Sequence, residues 1–128
     1  MNPSEPCPCG AKVAYTAGCG RYLNGGLFPE TAEALMRSRY VAYVRGRADY
    51  LLQTWHPATR PATLDLESEP VRWLGLQVRR VEGGGPGDTA GIVEFVARYK
   101  VAGRAHRRHE VSRFVREAGR WFYRDAQI

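Results

Sequence analysis

The chain changes its hydrophobic period at about Val71, and that switch constrains the fold more than any other feature. Downstream of it, residues 73–81, 92–101, 105–116 and 120–125 are rich in β-branched and aromatic side chains, which fit a pleated, half-buried surface. Four strands are predicted. Glu82-Gly83-Gly84-Gly85-Pro86-Gly87-Asp88 separates the first two and Glu117-Ala118-Gly119 the last two, and both stretches suit hairpin turns. The glycine cluster is no phosphate loop, because it lacks the Lys and Ser/Thr of that motif and joins strand to strand, where phosphate cradles join strand to helix.

Upstream of Val71 the pattern is helical. Thr31 is placed to cap a helix with Glu33 in its first turn, where the helix dipole favours an anion; the helix runs to Arg45 and stops at Gly46. Ala32, Met36, Tyr40, Tyr43 and Val44 share one face, with Leu35 at its margin, as burial against a sheet requires. Arg39 falls in the same arc. A buried, unpaired cation is costly, so Arg39 is expected either to snorkel to water or to meet a buried carboxylate. A second helix, 48 to about 55, buries Leu51, Leu52 and Trp55, and Pro57 ends it by biasing His56 out of helical geometry. Residues 1–29 bear prolines and glycines without either period and read as a loop-rich appendage to an α+β domain spanning 30–128. Helices followed by a strand meander imply a curved antiparallel sheet wrapped on helices.

With 128 residues, 44% of them hydrophobic and 25% charged, one globular core is expected. No apolar run approaches the roughly 20 residues that cross a bilayer, so no membrane partner is expected. No secretory leader is read at the N-terminus, and a cytoplasmic location is the expectation. Cys7, Cys9 and Cys19 cannot pair off completely, and in a reducing compartment they read as metal ligands or free thiols. Three thiolates can hold zinc, although a structural site normally closes with four ligands. The net charge of +6 raises nucleic acid as a partner. Yet all but Lys12 and Lys100 of the 19 basic residues are arginines scattered along the chain, which a compositional bias also produces.

Longer motifs add a resemblance. Cys7-Pro8-Cys9-Gly10 through Tyr15 to Cys19 is similar to the SEC-C zinc motif, with Gly18 where that motif has its third cysteine. Leu35-Met36-Arg37-Ser38-Arg39-Tyr40, Thr54-Trp55-His56-Pro57, Trp73-Leu74-Gly75-Leu76 and Gly119-Arg120-Trp121-Phe122-Tyr123-Arg124-Asp125 resemble the YchJ family of uncharacterised bacterial proteins. The resemblance implies a cone of the nuclear transport factor 2-like, or cystatin-like, class, which often encloses a pocket between sheet and helices. Such a fold does not choose a function.

Within such a cone, alternation places Glu110 and Ser112 on the face of Phe114, and His109, Val111 and Arg113 on the other. Inward-facing Glu110 is a candidate general acid or base of a ketosteroid isomerase-like enzyme, with His56 or Asp125 assisting. It is equally half of a salt bridge to Arg37, Arg39 or Arg98. Tyr40, Trp55, Trp73, Trp121 and Tyr123 read as core and pocket wall. His56 either caps its helix end or lines the cone mouth. His106 and His109, three residues apart on a strand, face opposite ways and are not expected to share a metal. The leading expectation is a binding module for a small ligand or a partner protein segment, ahead of the enzyme and of a nucleic-acid binder using the basic strands.

Overall fold

The computed structural model describes residues 6–10, 13–66 and 70–126. A 3-10 turn at Tyr15–Ala17 leads into the short helix α1 (Gly20–Leu23), followed by α2 (Ala32–Arg45) and α3 (Ala48–Gln53). Four strands complete the chain: β1 (Val71–Gly83), β2 (Ala90–Val101), β3 (Arg104–Glu117) and β4 (Arg120–Ala126). They form one antiparallel meander in the order β1-β2-β3-β4. This is the expected α+β architecture, helices first and sheet after.

The bounds of α2 follow from local chemistry. Thr31 Oγ1 accepts the Ala34 N–H at 3.0 Å, and Gly46, with φ of +70°, ends the helix in the left-handed region that disfavours other residues. The second helix stops at Gln53, short of the expected Trp55. Beyond it the backbone pairs with β4 instead: Tyr123 N–H donates to Thr54 O and His56 N–H to Tyr123 O, both at 2.8 Å. This bridge covers part of the sheet edge that β4 would otherwise present to solvent.

Register shifts at Trp73/Gly75 and Val78/Arg80 insert bulges in β1, and the shift opposite Arg113/Phe114 inserts one at Arg124 of β4; bulges bend strands and deepen twist. The sheet therefore curls around α2. Its glycine turn does a second job. Gly84 O accepts the Ala32 N–H at 2.9 Å, and Gly91 lies so close that an added Cβ would stand 2.6 Å from Gly84 Cα. Only glycine fits there, and the N-terminus of α2 is pinned to the β1–β2 corner.

Residues 13–23 are not a loop-like appendage. Cys7, Cys9, Tyr15, Cys19 and Leu23 are buried in one apolar cluster with Tyr40, Val41 and Ala42 of α2 and with Tyr50 and Leu51 of α3. The opposite side of α2 places Ala32, Leu35 and Met36 against Val93, Phe114 and Trp121. α2 is thus sandwiched, which explains why Leu35, Val41 and Ala42 are fully buried while Val44, expected on the inner face, is exposed. Ser38, also fully buried, donates to Leu35 O and accepts from the Tyr50 hydroxyl at 2.7 Å, so its polarity is satisfied.

Candidate functional site

Between the curled sheet and α2 lies a cavity of about 240 Å3. Its walls are mostly apolar, with Met36 and Tyr40 from α2 facing Trp73, Phe95 and Phe114 from the sheet. Into it come Arg39 from α2 and Arg108, Glu110 and Ser112 from β3, alternate residues on the face that Phe114 fixes inward. The anchoring of Phe114, only 2% exposed, sets that parity.

Arg39 departs from both expectations, for it neither snorkels nor meets a carboxylate. The residue is 6% exposed, and no ion pair among the described residues includes it. Instead Nη1 donates to Leu51 O at 2.8 Å and to Thr54 Oγ1 at 2.7 Å, whose own proton goes to Tyr50 O. The rings of Trp55 and Tyr123 lie 5.1 and 4.5 Å from the guanidinium carbon. Both contacts are attractive, since ring faces are electron-rich. Burial pushes Arg39 down from its ordinary 12.5 to about 10, which leaves it charged at neutral pH. Burial likewise pushes the Tyr123 phenol up to about 12, keeping it neutral.

Glu110 lines the cavity with its side chain 13% exposed, and Arg108 Nη2 donates to it at 3.1 Å. The cation beside Glu110 is therefore Arg108, two residues away on the same strand face, rather than Arg37, Arg39 or Arg98. Alternation alone could have found it. Arg37 bonds Glu33 and the Cys9 carbonyl, and Arg98 is exposed on the outer face of β2, so neither lines the cavity. Tyr40, Trp55, Ser112 and Tyr123 do line it. Trp121 does not: it packs against Ala32 and Leu35, and its indole N–H donates to Glu30 O.

The other two residues grouped with Glu110 lie elsewhere. The Ala58 N–H donates to His56 Nδ1, so the ring proton sits on Nε2 and goes to Glu117 at 2.7 Å; His56 fastens the loop after α3 to the end of β3 by its ring and to β4 by its backbone N–H. Asp125 pairs with Arg113 on the outer face. No proton relay from Glu110 to either is formed among the described residues. His106 stacks on Tyr99 and His109 bonds Glu94, on opposite faces as alternation requires.

The second cluster is sulfur. The Sγ atoms of Cys7, Cys9 and Cys19 all lie within 4.8 Å of one another, buried and unlinked by disulfide. Zinc held tetrahedrally at about 2.3 Å from each sulfur needs them about 3.8 Å apart, a spacing compatible with three sulfurs this close together. Hydrogen bonds from the Cys19 and Cys9 thiols hold the Cys7 pKa far below the ordinary thiol range, and the same contacts push Cys19 up. The segment that carries the first two thiols is closed by Cys7 N–H to Val13 O at 2.9 Å and anchored to α2 by Arg37 Nη1 to Cys9 O at 2.7 Å. An added Cβ at Gly18 would stand 3.2 Å from Cys7 Cβ, beside the cluster.

Comparison with known proteins agrees with this fold. The family model described as "YchJ, middle NTF2-like domain" matches residues 31–126. A UPF0225 protein of Chromobacterium violaceum is 57% identical, covering 91% of this chain and 88% of its own, and one from Bordetella pertussis is 53% identical over 99% and 97%. Among solved structures, a SEC-C motif containing protein from Rhodopseudomonas palustris superposes with a TM-score of 0.83 at 32% identity, covering 95% of this chain and 97% of that one. Another, from Psychrobacter arcticus, gives 0.79 at 26% identity, over 100% and 86%.

Proposed function

The chain belongs to the YchJ family, and from that premise we propose that it is a binding module whose cone receives a small ligand. The observation that carries the reading is the cavity itself: a hollow of about 240 Å3 into which a cation, a carboxylate and a hydroxyl project from otherwise apolar walls. A core built for stability alone would be filled to native density and free of polar groups. Convergent polar groups in an apolar hollow are what a ligand site needs. A role in catalysis is less well supported, because Glu110 is held by Arg108 and neither His56 nor Asp125 reaches it. Native mass spectrometry of the protein purified under mild conditions tests the reading. An additional small mass, released on denaturation and lost on partial unfolding, is expected; a bare chain that also binds nothing from a fragment library would overturn it.

Zinc belongs to the same proposal. The buried Cys7, Cys9 and Cys19 set and the SEC-C likeness support it, and the bound ion would cross-link residues 7–19 against α2. With Gly18 in place of a thiol, the fourth position falls to water or to a group from another molecule. A cytoplasmic site, where thiols stay reduced, suits this arrangement.

A second reading, nucleic-acid binding, has one observation of its own. Arg72 and Lys100 are cross-strand partners, as are Arg98 and Arg107, and all four are exposed on the outer face with no ion pair among the described residues. Like charges placed opposite one another are destabilising unless an anion joins them. Further along that face Arg80, Glu94, His109, Arg113 and Asp125 are mutually paired. Gel shift with mixed oligonucleotides at low salt tests this; absence of any shift rejects it.

A further inference from the structure

The hydrogen-bond inventory of Arg39 narrows what the cone takes. A guanidinium offers five N–H groups in a fixed fork. Both Nη1 hydrogens have acceptors, in Leu51 O and Thr54 Oγ1. Nε and Nη2 have none among the described residues, and neither is sealed away, since the buried nitrogens without a partner there are Arg45 Nε and Trp55 Nε1. For a residue 6% exposed that lines the cavity, the opening to those nitrogens is the cavity. The Ser112 hydroxyl, on a residue only 2% exposed, lines the same space and also lacks a partner among the described residues. The charges do not balance either: Arg39 and Arg108 face the single carboxylate of Glu110, which Arg108 already holds.

We propose, building on the cone as a ligand site, that its ligand is a small monocarboxylate with an apolar or aromatic body, its two oxygens taken side-on by Nε and Nη2 of Arg39. The matched pair is a planar, two-oxygen anion against two parallel N–H groups, a geometry that a carboxylate fits and a neutral amide does not. Trp55 and Tyr123 hold the fork in place, so little freedom is lost on binding. The body lies against Trp73, Phe95 and Phe114. A cavity of about 240 Å3 is just below the roughly 300–1,000 Å3 of sites for drug-sized ligands, which limits the body to about one or two rings or a short aliphatic chain. A phosphate dianion is disfavoured, because one side of one guanidinium leaves most of its oxygens without donors in an apolar cavity.

The test is calorimetric titration of the wild-type protein with matched acids and amides: benzoate and benzamide, phenylacetate and phenylacetamide, hexanoate and hexanamide. At least one acid is expected to bind tenfold or more tightly than its amide. The Arg39 Nε–H resonance in a nitrogen-15 spectrum is expected to move with the acid and stay with the amide. Arg39→Lys should keep part of the preference and Arg39→Gln abolish it; the wild-type spectrum decides the matter should either variant fail to fold. Amides binding as well as acids would overturn the carboxylate assignment while leaving the cone a ligand site. Failure of every probe, with a different class of small molecule co-purifying in the native mass spectrum, would also overturn it. Failure of every probe with no co-purified mass would bring down the ligand site as well.

Discussion

If Arg39 is kept for a ligand and not for the fold, replacing it by an apolar side chain of similar length should stabilise the empty protein. The magnitude follows from its surroundings. Burial lowers its pKa from 12.5 to about 10, so holding the charge inside costs about 3 kcal/mol. That cost applies in full at neutral pH, because it is relieved only as the folded-state guanidinium loses its proton above pH 10. Against it, Arg39→Met removes the donor to Leu51 O at the C-terminal end of α3 and to Thr54 Oγ1, together worth about 1–2 kcal/mol. The net expectation is a gain of about 1–2 kcal/mol. For a chain of this length 1 kcal/mol moves Tm by about 4 °C, so a rise of about 4–8 °C is expected in thermal unfolding followed by circular dichroism at pH 7. Acid binding should be lost in the same variant. A fall in Tm of more than about 5 °C would refute the reasoning, by showing that the Trp55 and Tyr123 contacts make Arg39 a structural member of the core.

Gly18→Cys should complete a four-thiolate set beside Cys7 and raise zinc affinity by tenfold or more in competition with a chromophoric chelator; unchanged affinity would place residue 18 outside the ligand sphere. Gly91→Ala should cost about 2 kcal/mol, about 8 °C in Tm, since its Cβ meets backbone at Gly84 that has no flexible end to move; an unchanged Tm would contradict the close approach. The carboxylates of Asp125 beside Arg113 and Asp49 beside Arg47 have pKa values held below the ordinary range. Their contribution is present above pH 4 and lost as pH falls through the lowered values, so Tm should decline in acid below that point and decline less in 1 M salt.

The parts of the fold legible in the sequence are those written locally. Thr31 and Gly46 mark the ends of α2 by their own side-chain chemistry and backbone freedom, and the four strands show in residues that pleated pairing favours. Glu110 and Ser112 could be turned inward by counting from Phe114. What could not be read depends on contacts between distant segments. The region around Cys7 and Cys19 uses helices of three and four residues, too short to carry a period, and its burial comes from α2 and α3. The same docking buries the second side of α2, which a single apolar stripe does not announce. His56 finds Glu117 across 61 positions, and Arg39 finds a carbonyl, a hydroxyl and two rings where water or a carboxylate was the expected partner. A guanidinium can be satisfied in part by neutral acceptors and aromatic faces, so its residue type alone does not announce the absence of an anion.

Diffraction from crystals of the protein, grown as purified and again with the tightest-binding acid, measures the content of the cone directly. The account predicts an open hollow bounded by Arg39, Glu110 and Ser112, and in the second crystal density for one planar anion against Nε and Nη2 of Arg39. A cone closed by Phe95, Phe114 and Tyr123 packed on one another, with Glu110 facing solvent, would contradict it.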